Sequence, residues 1–538
     1  MNSWKLAQEA RAREAKATKS RSGVPLISPT EKPAPAGVRM SMRNRAQARM
    51  FAAAKTDRTT AEWGGSPLSA DEIISRNQVI LVARSREQCA NNDYGRSFLR
   101  QCRQNIVGPQ GITMQAQAKT NGGKMDRAAN EALENGWWDW SQRENCDVTG
   151  KRSWREIQKS VITSAGKDGE FIVRLVTGAD GGKYGLALQV LDPQRCPVDL
   201  NQDRDGSGTF IRQGIRFNRY GKPLGYLFRT LDESEANFWT GGKKYVEIPA
   251  EEIVHGFLED MVGQKRGLPW MATALYRMRQ MAAMEQAAIV NARVGANKLG
   301  FITWKDGMGP EYDEDEEIVI DSEPGEFNVL PAGAEIHETS PQYPSNEYAP
   351  FVKQALRSMA AGFGVLYNNL ASDLEGVNFS SIRQGTLDER EHWKDLQEWL
   401  IESLVQPIFN AWLPRALLLG QLTSNGKPLR AERIDRYRNA VSWQARRWQW
   451  IDPRADVQSA VDSKNNMLTS PSTIIREQGK DPQAVWAESA RDVAAMIEAY
   501  VAEGIDKATA TELVMLSMGR QPPKPAPAPS EKPANENA

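Results

Sequence analysis

The stretch Gly267-Leu-Pro-Trp-Met-Ala-Thr-Ala-Leu-Tyr-Arg-Met-Arg-Gln-Met-Ala-Ala-Met-Glu-Gln-Ala-Ala-Ile-Val-Asn-Ala-Arg-Val-Gly-Ala296 decides the architecture, because a β unit and then a second helix follow it. Pro269 suits a first helical turn, where its missing N–H costs no bond. The periodicity predicts a helix to about Ala296, roughly 40 Å long at 1.5 Å per residue. Leu275, Met278, Ala282, Ile289 and Ala292 fall on one face, and Arg279, Gln286 and Arg293 recur every seven residues on another. Residues 298–345 change character. Short β-like runs, Gly300-Phe-Ile-Thr-Trp, Glu317-Ile-Val-Ile and Glu326-Phe-Asn-Val-Leu, are split by Gly/Pro turns around an acidic cluster, Glu311 to Glu317. A second helix is predicted over about 346–367, a loop over 368–382, and a third helix over about 381–413 with Pro407 kinking it or ending its first part. Two antiparallel helices with a β tip make a stalk that cannot bury both faces alone, which implies neighbours and hence an oligomer.

Outward from the stalk, residues 60–268 read as an α+β body. Ser69-Ala-Asp-Glu resembles a capping box at the start of a helical stretch towards Val107. Glu170-Phe-Ile-Val-Arg-Leu-Val, Leu186–Leu191, Ile211–Asn218, Tyr226–Thr230 and Tyr245–Ile248 read as strands between Gly/Pro/Asp turns. Residues 1–59 form a basic arm, with 13 Lys/Arg against 4 acidic residues through position 60, and disorder is expected over 20–37. Helices are expected over 452–518, and a Pro/Ala/Lys-rich disordered tail over 519–538.

The chain has 538 residues and 68 basic against 68 acidic side chains, so its formal net charge is zero. Proteins that grip nucleic acid by neutralising phosphates are usually basic, so any DNA contact here is local or weak. The four cysteines, Cys89, Cys102, Cys146 and Cys196, form no C-x-x-C pair and are read as reduced thiols. No apolar run reaches membrane-spanning length, so no membrane partner is expected. Every Gly-Lys pair fails the phosphate-loop spacing; Gly182-Lys183, for example, has Thr177 where glycine is required. Asn201-Gln-Asp-Arg-Asp-Gly mimics a calcium loop, but Arg212 stands where its closing Glu belongs, so a turn is the better reading. No nucleophile elbow and no zinc-helix motif occur. No cofactor, metal or catalytic set is expected, and the chain is read as a non-enzyme. The stretch Arg438–Trp450 interleaves Arg446 and Arg447 with Trp443, Trp448 and Trp450. It suits nucleic-acid stacking, but close-spaced tryptophans are more often core or interface.

Nine segments in order carry a family resemblance: Asn91-Asn-Asp-Tyr-Gly-Arg-Ser-Phe-Leu, Val107-Gly-Pro-Gln-Gly-Ile, Asp168-Gly-Glu, Leu191-Asp-Pro, Ile253-Val-His-Gly-Phe, Gln264-Lys-Arg-Gly-Leu-Pro-Trp, Gly362-Phe-Gly-Val-Leu-Tyr, Asn378-Phe-Ser-Ser-Ile-Arg and Trp450-Ile-Asp-Pro. Over about 45–500 the chain resembles the lambda-type portal proteins of tailed bacteriophages. The resemblance implies a ring, usually of twelve subunits, at one capsid vertex of the virion, assembled in the host cytoplasm. Through the ring, double-stranded DNA is packaged and later ejected without regard to sequence. Implied partners are the terminase large subunit, head-completion and connector proteins, and the major capsid protein and scaffold.

By analogy, residues 60–268 with the part of 383–451 beyond the long kinked helix form the wing, and 269–297 and 346–367 the stem helices. Residues 298–345 form the β-rich clip, 368–382 the tunnel loop and 452–518 the helical crown. The channel-lining candidates are Asn369, Asp373, Glu375, Asn378, Ser380 and Arg383 around the loop, and Arg279, Gln286 and Arg293 along the stem. For the last three, salt bridges between subunits are an equal reading. The docking candidates for terminase and connector are Glu311, Asp313, Glu314, Asp315, Glu316 and Glu317. Zero net charge suits a channel, because each Lys or Arg contact with phosphate is favourable and would hold the DNA. Two alternatives stay open: a phage DNA-processing enzyme, nuclease or terminase subunit, and a structural ring without a DNA channel.

Overall fold

The computed structural model describes residues 58, 67–230, 245–296, 300–304, 334–338, 348–448 and 452–518. Nearly all belong to one compact unit that begins at Leu68. The basic arm, the acidic cluster 311–317 and the tail 519–538 lie outside the described residues. Helix α1 (Ala70–Asn91) is capped by Ser69, whose side chain accepts from the Glu72 N–H. Asn92 caps α2 (Asp93–Cys102) through the N–H groups of Tyr94 and Gly95, and a π turn extends it to Val107. Strand β1 (Thr113–Ala116) leads to α3 (Arg127–Trp140). Helix α4 (Trp154–Asp168) starts on a full capping box between Ser153 and Glu156. It ends at Gly169, whose φ of +90° only glycine adopts readily.

Strands β2 (Glu170–Thr177) and β3 (Leu186–Leu191) follow. The single strand expected over Ile211–Asn218 is instead a tight hairpin, β4 (Phe210–Arg212) and β5 (Ile215–Phe217). Gln213 and Gly214 turn the chain there with φ of +55° and +78°, the geometry of a two-residue hairpin loop. β5 then pairs with β6 (Pro223–Arg229), and β6 with β7 (Tyr245–Pro249). Strand β8 (Ile253–Phe257) joins the other sheet, which runs β3-β2-β8, all antiparallel.

The stalk helix α5 (Leu275–Ala296) begins six residues later than Pro269 suggests. Residues 269–274 make successive turns instead. The chain is held down there: Trp270 N–H donates to Gly166 O at 3.2 Å, and a Cβ on Gly267 would lie 2.0 Å from Gly169 O. Helix α5 spans about 33 Å. Strands β9 (Gly300–Trp304) and β10 (Ala334–Glu338) pair antiparallel beyond it. Helix α6 (Tyr348–Phe363) stops short of the expected Tyr367 because Gly364 turns left-handed (φ +69°), and Val365 N–H bonds Ala360 O across it. A short helical turn, Tyr367–Ala371, follows.

Helix α7 (Phe379–Leu400) starts earlier than expected because Asn378 caps it, accepting from Ser381 N–H at 2.8 Å. The irregular loop therefore shrinks to 372–378. A π turn, Ile401–Val405, carries α7 into α8 (Gln406–Leu418) and absorbs Pro407, which has no N–H to bond back. Strand β11 (Val441–Gln444) returns to pair with β1. The C-terminal helices are α9 (Pro453–Asn465), α10 (Pro471–Glu477), α11 (Pro482–Ala502) and α12 (Lys507–Ser517).

The main core joins both halves of the chain. Trp137 packs on Trp140 at 4.7 Å, on Trp412 at 5.1 Å and on Trp443 at 5.7 Å between ring centres. Trp140 Nε1 donates to Leu186 O at 2.8 Å and Trp443 Nε1 to Gln406 Oε1 at 2.7 Å, whereas the buried Trp412 Nε1 has no partner. Trp443 is thus partly buried and packs against the core. A smaller core lies between the sheets, around Ile172, Cys196, Phe217 and Phe228.

A buried ion pair anchors the base of the stalk. Arg266 and Glu170 have side chains that are 0% exposed, with Nη2 donating to Oε1 at 2.6 Å. Glu170 also accepts from Gln78 Nε2 (3.1 Å), His255 Nε2 (3.0 Å) and Gly267 N–H (3.0 Å). Arg266 spends its remaining donors on the carbonyls of Pro193, Cys196 and Gln213. One charged cluster therefore ties α1, β2, β8 and the entry to α5 together.

Candidate functional site

The loop 372–378 turns on two left-handed residues, Ser372 (φ +55°) and Gly376 (φ +67°). Asp373 is its organising side chain. It accepts from the Tyr367 hydroxyl at 2.5 Å and from Glu375 N–H at 2.9 Å, and it pairs with Lys353 of α6 at 3.3 Å. Those donors hold the Asp373 carboxyl down at about 2. Partial burial, the bond to Asp373 and its charge push the Tyr367 phenol up to about 12. Lys353 and Arg357 also lie over the Tyr367 ring, at 5.8 and 5.6 Å. Between loop and helix is a cavity of about 410 Å³, lined by Lys353, Arg357, Tyr367, Asn378 and Ile382 among others.

The sequence-predicted candidates divide on this geometry. Asn369 donates to Glu389, a largely buried carboxyl whose pKa is raised by burial, and its carbonyl accepts from Gln101 at 3.0 Å. Asn378 is a helix cap, and Arg383 pairs with Asp456 of α9 at 3.2 Å. Asp373 is the latch just described. Glu375 and Ser380 are exposed, next to the exposed apolar Leu374 (66%) and Phe379 (59%). Sequence reasoning missed Lys353, Arg357 and Tyr367. Their signal was the i, i+4 pair of cations on α6, facing an acidic loop.

Arg279, Gln286 and Arg293 are all exposed on α5, and neither arginine has a carboxylate partner among the described residues. The apolar face of α5 is buried at its base, through Leu275, Met278 and Met281, and again at Ala288. Farther out Ile289 is 56% exposed and Ala292 is exposed too. The Asn201–Gly206 stretch leads into a turn in which Asp205 accepts from Ser207 and Thr209 N–H groups, both at 2.9 Å. Among the described residues no cluster of side chains is arranged to hold a metal, and no helix is long and apolar enough to cross a membrane.

Residues 56–397 match the family model described as phage portal protein, lambda family. The chain belongs to that family. It is 32% identical over 454 residues to the "Probable portal protein" of Halomonas phage phiHAP-1, covering 83% of this chain and 86% of that one. It is 21% identical to "Portal protein B" of Escherichia phage lambda, covering 80% and 86%. Among solved structures it is similar to a chain of the neck of an empty GTA particle, at TM-score 0.42 and 15% identity, covering 79% of this chain and 98% of that one.

Proposed function

We propose that the chain is one subunit of a ring, of about twelve copies, that surrounds a duplex-DNA channel at one capsid vertex. Family membership supports this, and the observation that carries it is the stalk. Tyr276 (76% exposed), Ile289 (56%), Val290 (50%) and Phe351 (56%) leave apolar surface on α5 and α6 that a neighbouring copy would cover. The role is structural rather than catalytic: the ring passes DNA during packaging and ejection, docks the terminase, and then joins head to tail. The loop 372–378 would face the channel, with Glu375 and Ser380 its available polar groups and Asp373 its brace. The segment Glu311–Glu317 would be the docking edge for terminase and connector.

Negative-stain microscopy with native mass measurement tests this. Rings of about a dozen copies with an opening near 20 Å, enough for a duplex whose major groove alone is roughly 12 Å wide, are the expected result. Ile289→Glu should shift the protein towards monomer. A monomer that cleaves DNA would overturn the reading in favour of a processing enzyme. A closed ring would favour a non-channel assembly.

A further inference from the structure

Helix α7 carries Arg383 and Arg390 seven residues apart, on one face and about 10 Å apart along the axis. Beyond Arg383, Arg390 reaches a cleft of about 570 Å³ where α7, residues 107–113, the end of β11 and the turn at Gly479 meet. Arg390, Arg446 and Arg447 line it, and no carboxylate does. The guanidinium carbons of Arg390 and Arg446 each lie 5.8 Å from the ring centre of Trp448.

The platform is fixed in place. Asn105 Oδ1 accepts from Trp448 Nε1 at 3.2 Å and from Arg446 Nη1 at 2.7 Å, and Arg446 Nη1 also donates to Gln104 O. Gly108 gives Arg446 its room, since a Cβ there would lie 3.0 Å from the arginine's own Cβ. These acceptors are neutral, so they orient the guanidinium without cancelling its charge. Neither Arg446 nor Arg447 has a carboxylate partner among the described residues. Burial and the neighbouring Arg390 both push the Arg446 pKa down, the effect of one part-buried cation beside another.

We propose that this cleft is a phosphate-binding site for the DNA backbone, with Arg446 and Arg447 as the contacts and Arg390 as supporting charge. The proposal rests on the channel reading and deepens it. Guanidinium forks match paired phosphate oxygens. Arg390, Arg446 and Arg447 gather at the cleft, while Arg383, nearer the 372–378 loop, is already paired with Asp456. Backbone contacts of this kind position DNA without reading its sequence. Because Arg446 already has protein acceptors, a phosphate gains little from it, and the grip stays weak enough for DNA to slide.

The test uses the full chain and a short labelled duplex of random sequence, followed by fluorescence anisotropy across a salt series. Arg447→Gln, an exposed position that folding tolerates, and Arg446→Gln should each lower the slope of log K against log salt by about 0.9 for every subunit in contact with the duplex. Arg219→Gln, in the distant β5–β6 turn, should leave the slope unchanged. An unchanged slope in the double variant, with rings intact and duplex still bound, would overturn the cleft and spare the channel reading. Loss of both rings and duplex binding in the unaltered protein would overturn both. Displacement of duplex by polyglutamate at lower charge concentration would overturn DNA in favour of an acidic protein segment.

Discussion

Replacing Glu170 by Gln tests whether the buried cluster holds the stalk base. Burial alone would raise the Glu170 pKa, but the Arg266 charge and the donors from His255 and Arg266 outweigh it and hold the group down at about 2, against an ordinary carboxyl value of 4.5. The difference, converted at 1.36 kcal/mol per unit, is about 3 kcal/mol of stability supplied by the ionised form. Breaking a buried pair from one side costs a similar amount, about 3–5 kcal/mol, because the remaining charge is stranded. Glutamine would also turn an N–H₂ towards one of the Arg266, His255 or Gly267 donors. The folded pKa is depressed, so this stabilisation is complete above about pH 4.5 and is lost as pH falls towards 2. Chemical denaturation at neutral pH should therefore show Glu170→Gln weaker by about 3 kcal/mol. Over the acid window the variant should lose less stability than the parent. A loss of only about 0.5 kcal/mol, ordinary for a surface change, would refute the reasoning. So would an unaltered acid profile.

Gly169→Ala should cost well over the roughly 1–2 kcal/mol of a left-handed backbone alone, since its Cβ would lie 2.2 Å from the Leu268 carbonyl carbon. Gly178→Ala, at φ +83° with nothing within 4 Å, should cost only the backbone part; thermal melts compare the two. Asp373→Asn should speed amide exchange across 372–378 and bring the Tyr367 phenol from about 12 down towards its ordinary 10, read by its titration. Charge reversal across Glu311–Glu317 should weaken terminase docking in a binding assay, and unchanged binding would remove that segment as the docking edge.

Much of the architecture was legible because periodicity and caps are local. Ser69 and Ser153 each start a helix by side-chain bonds to the next turn, whereas the Asn378 cap shifts its helix ahead of the expected start. What the sequence hid was set by distant partners. The start of α5 depends on Gly169, about a hundred positions upstream, and the hairpin at Gln213–Gly214 depends on a non-glycine residue accepting positive φ. Arg266 reads as an ordinary surface cation until Glu170 and three carbonyls surround it. The candidate site was legible as a loop, but not as a braced one. Asp373 and Asn378 were singled out for polarity that the fold uses internally.

The join between Trp137 and Trp443 has a consequence for synthesis. Half of the tryptophan core is complete once residue 188 has been made, yet its other half, with Trp412 and Ala445, is about 250 residues away. At roughly 5–20 residues per second the ribosome needs about 13–50 s to supply it. For that interval the nascent chain carries an open apolar surface. Molecular chaperones holding the unfinished polypeptide, rather than the strength of any single contact, would then govern the yield of assembly-competent subunits.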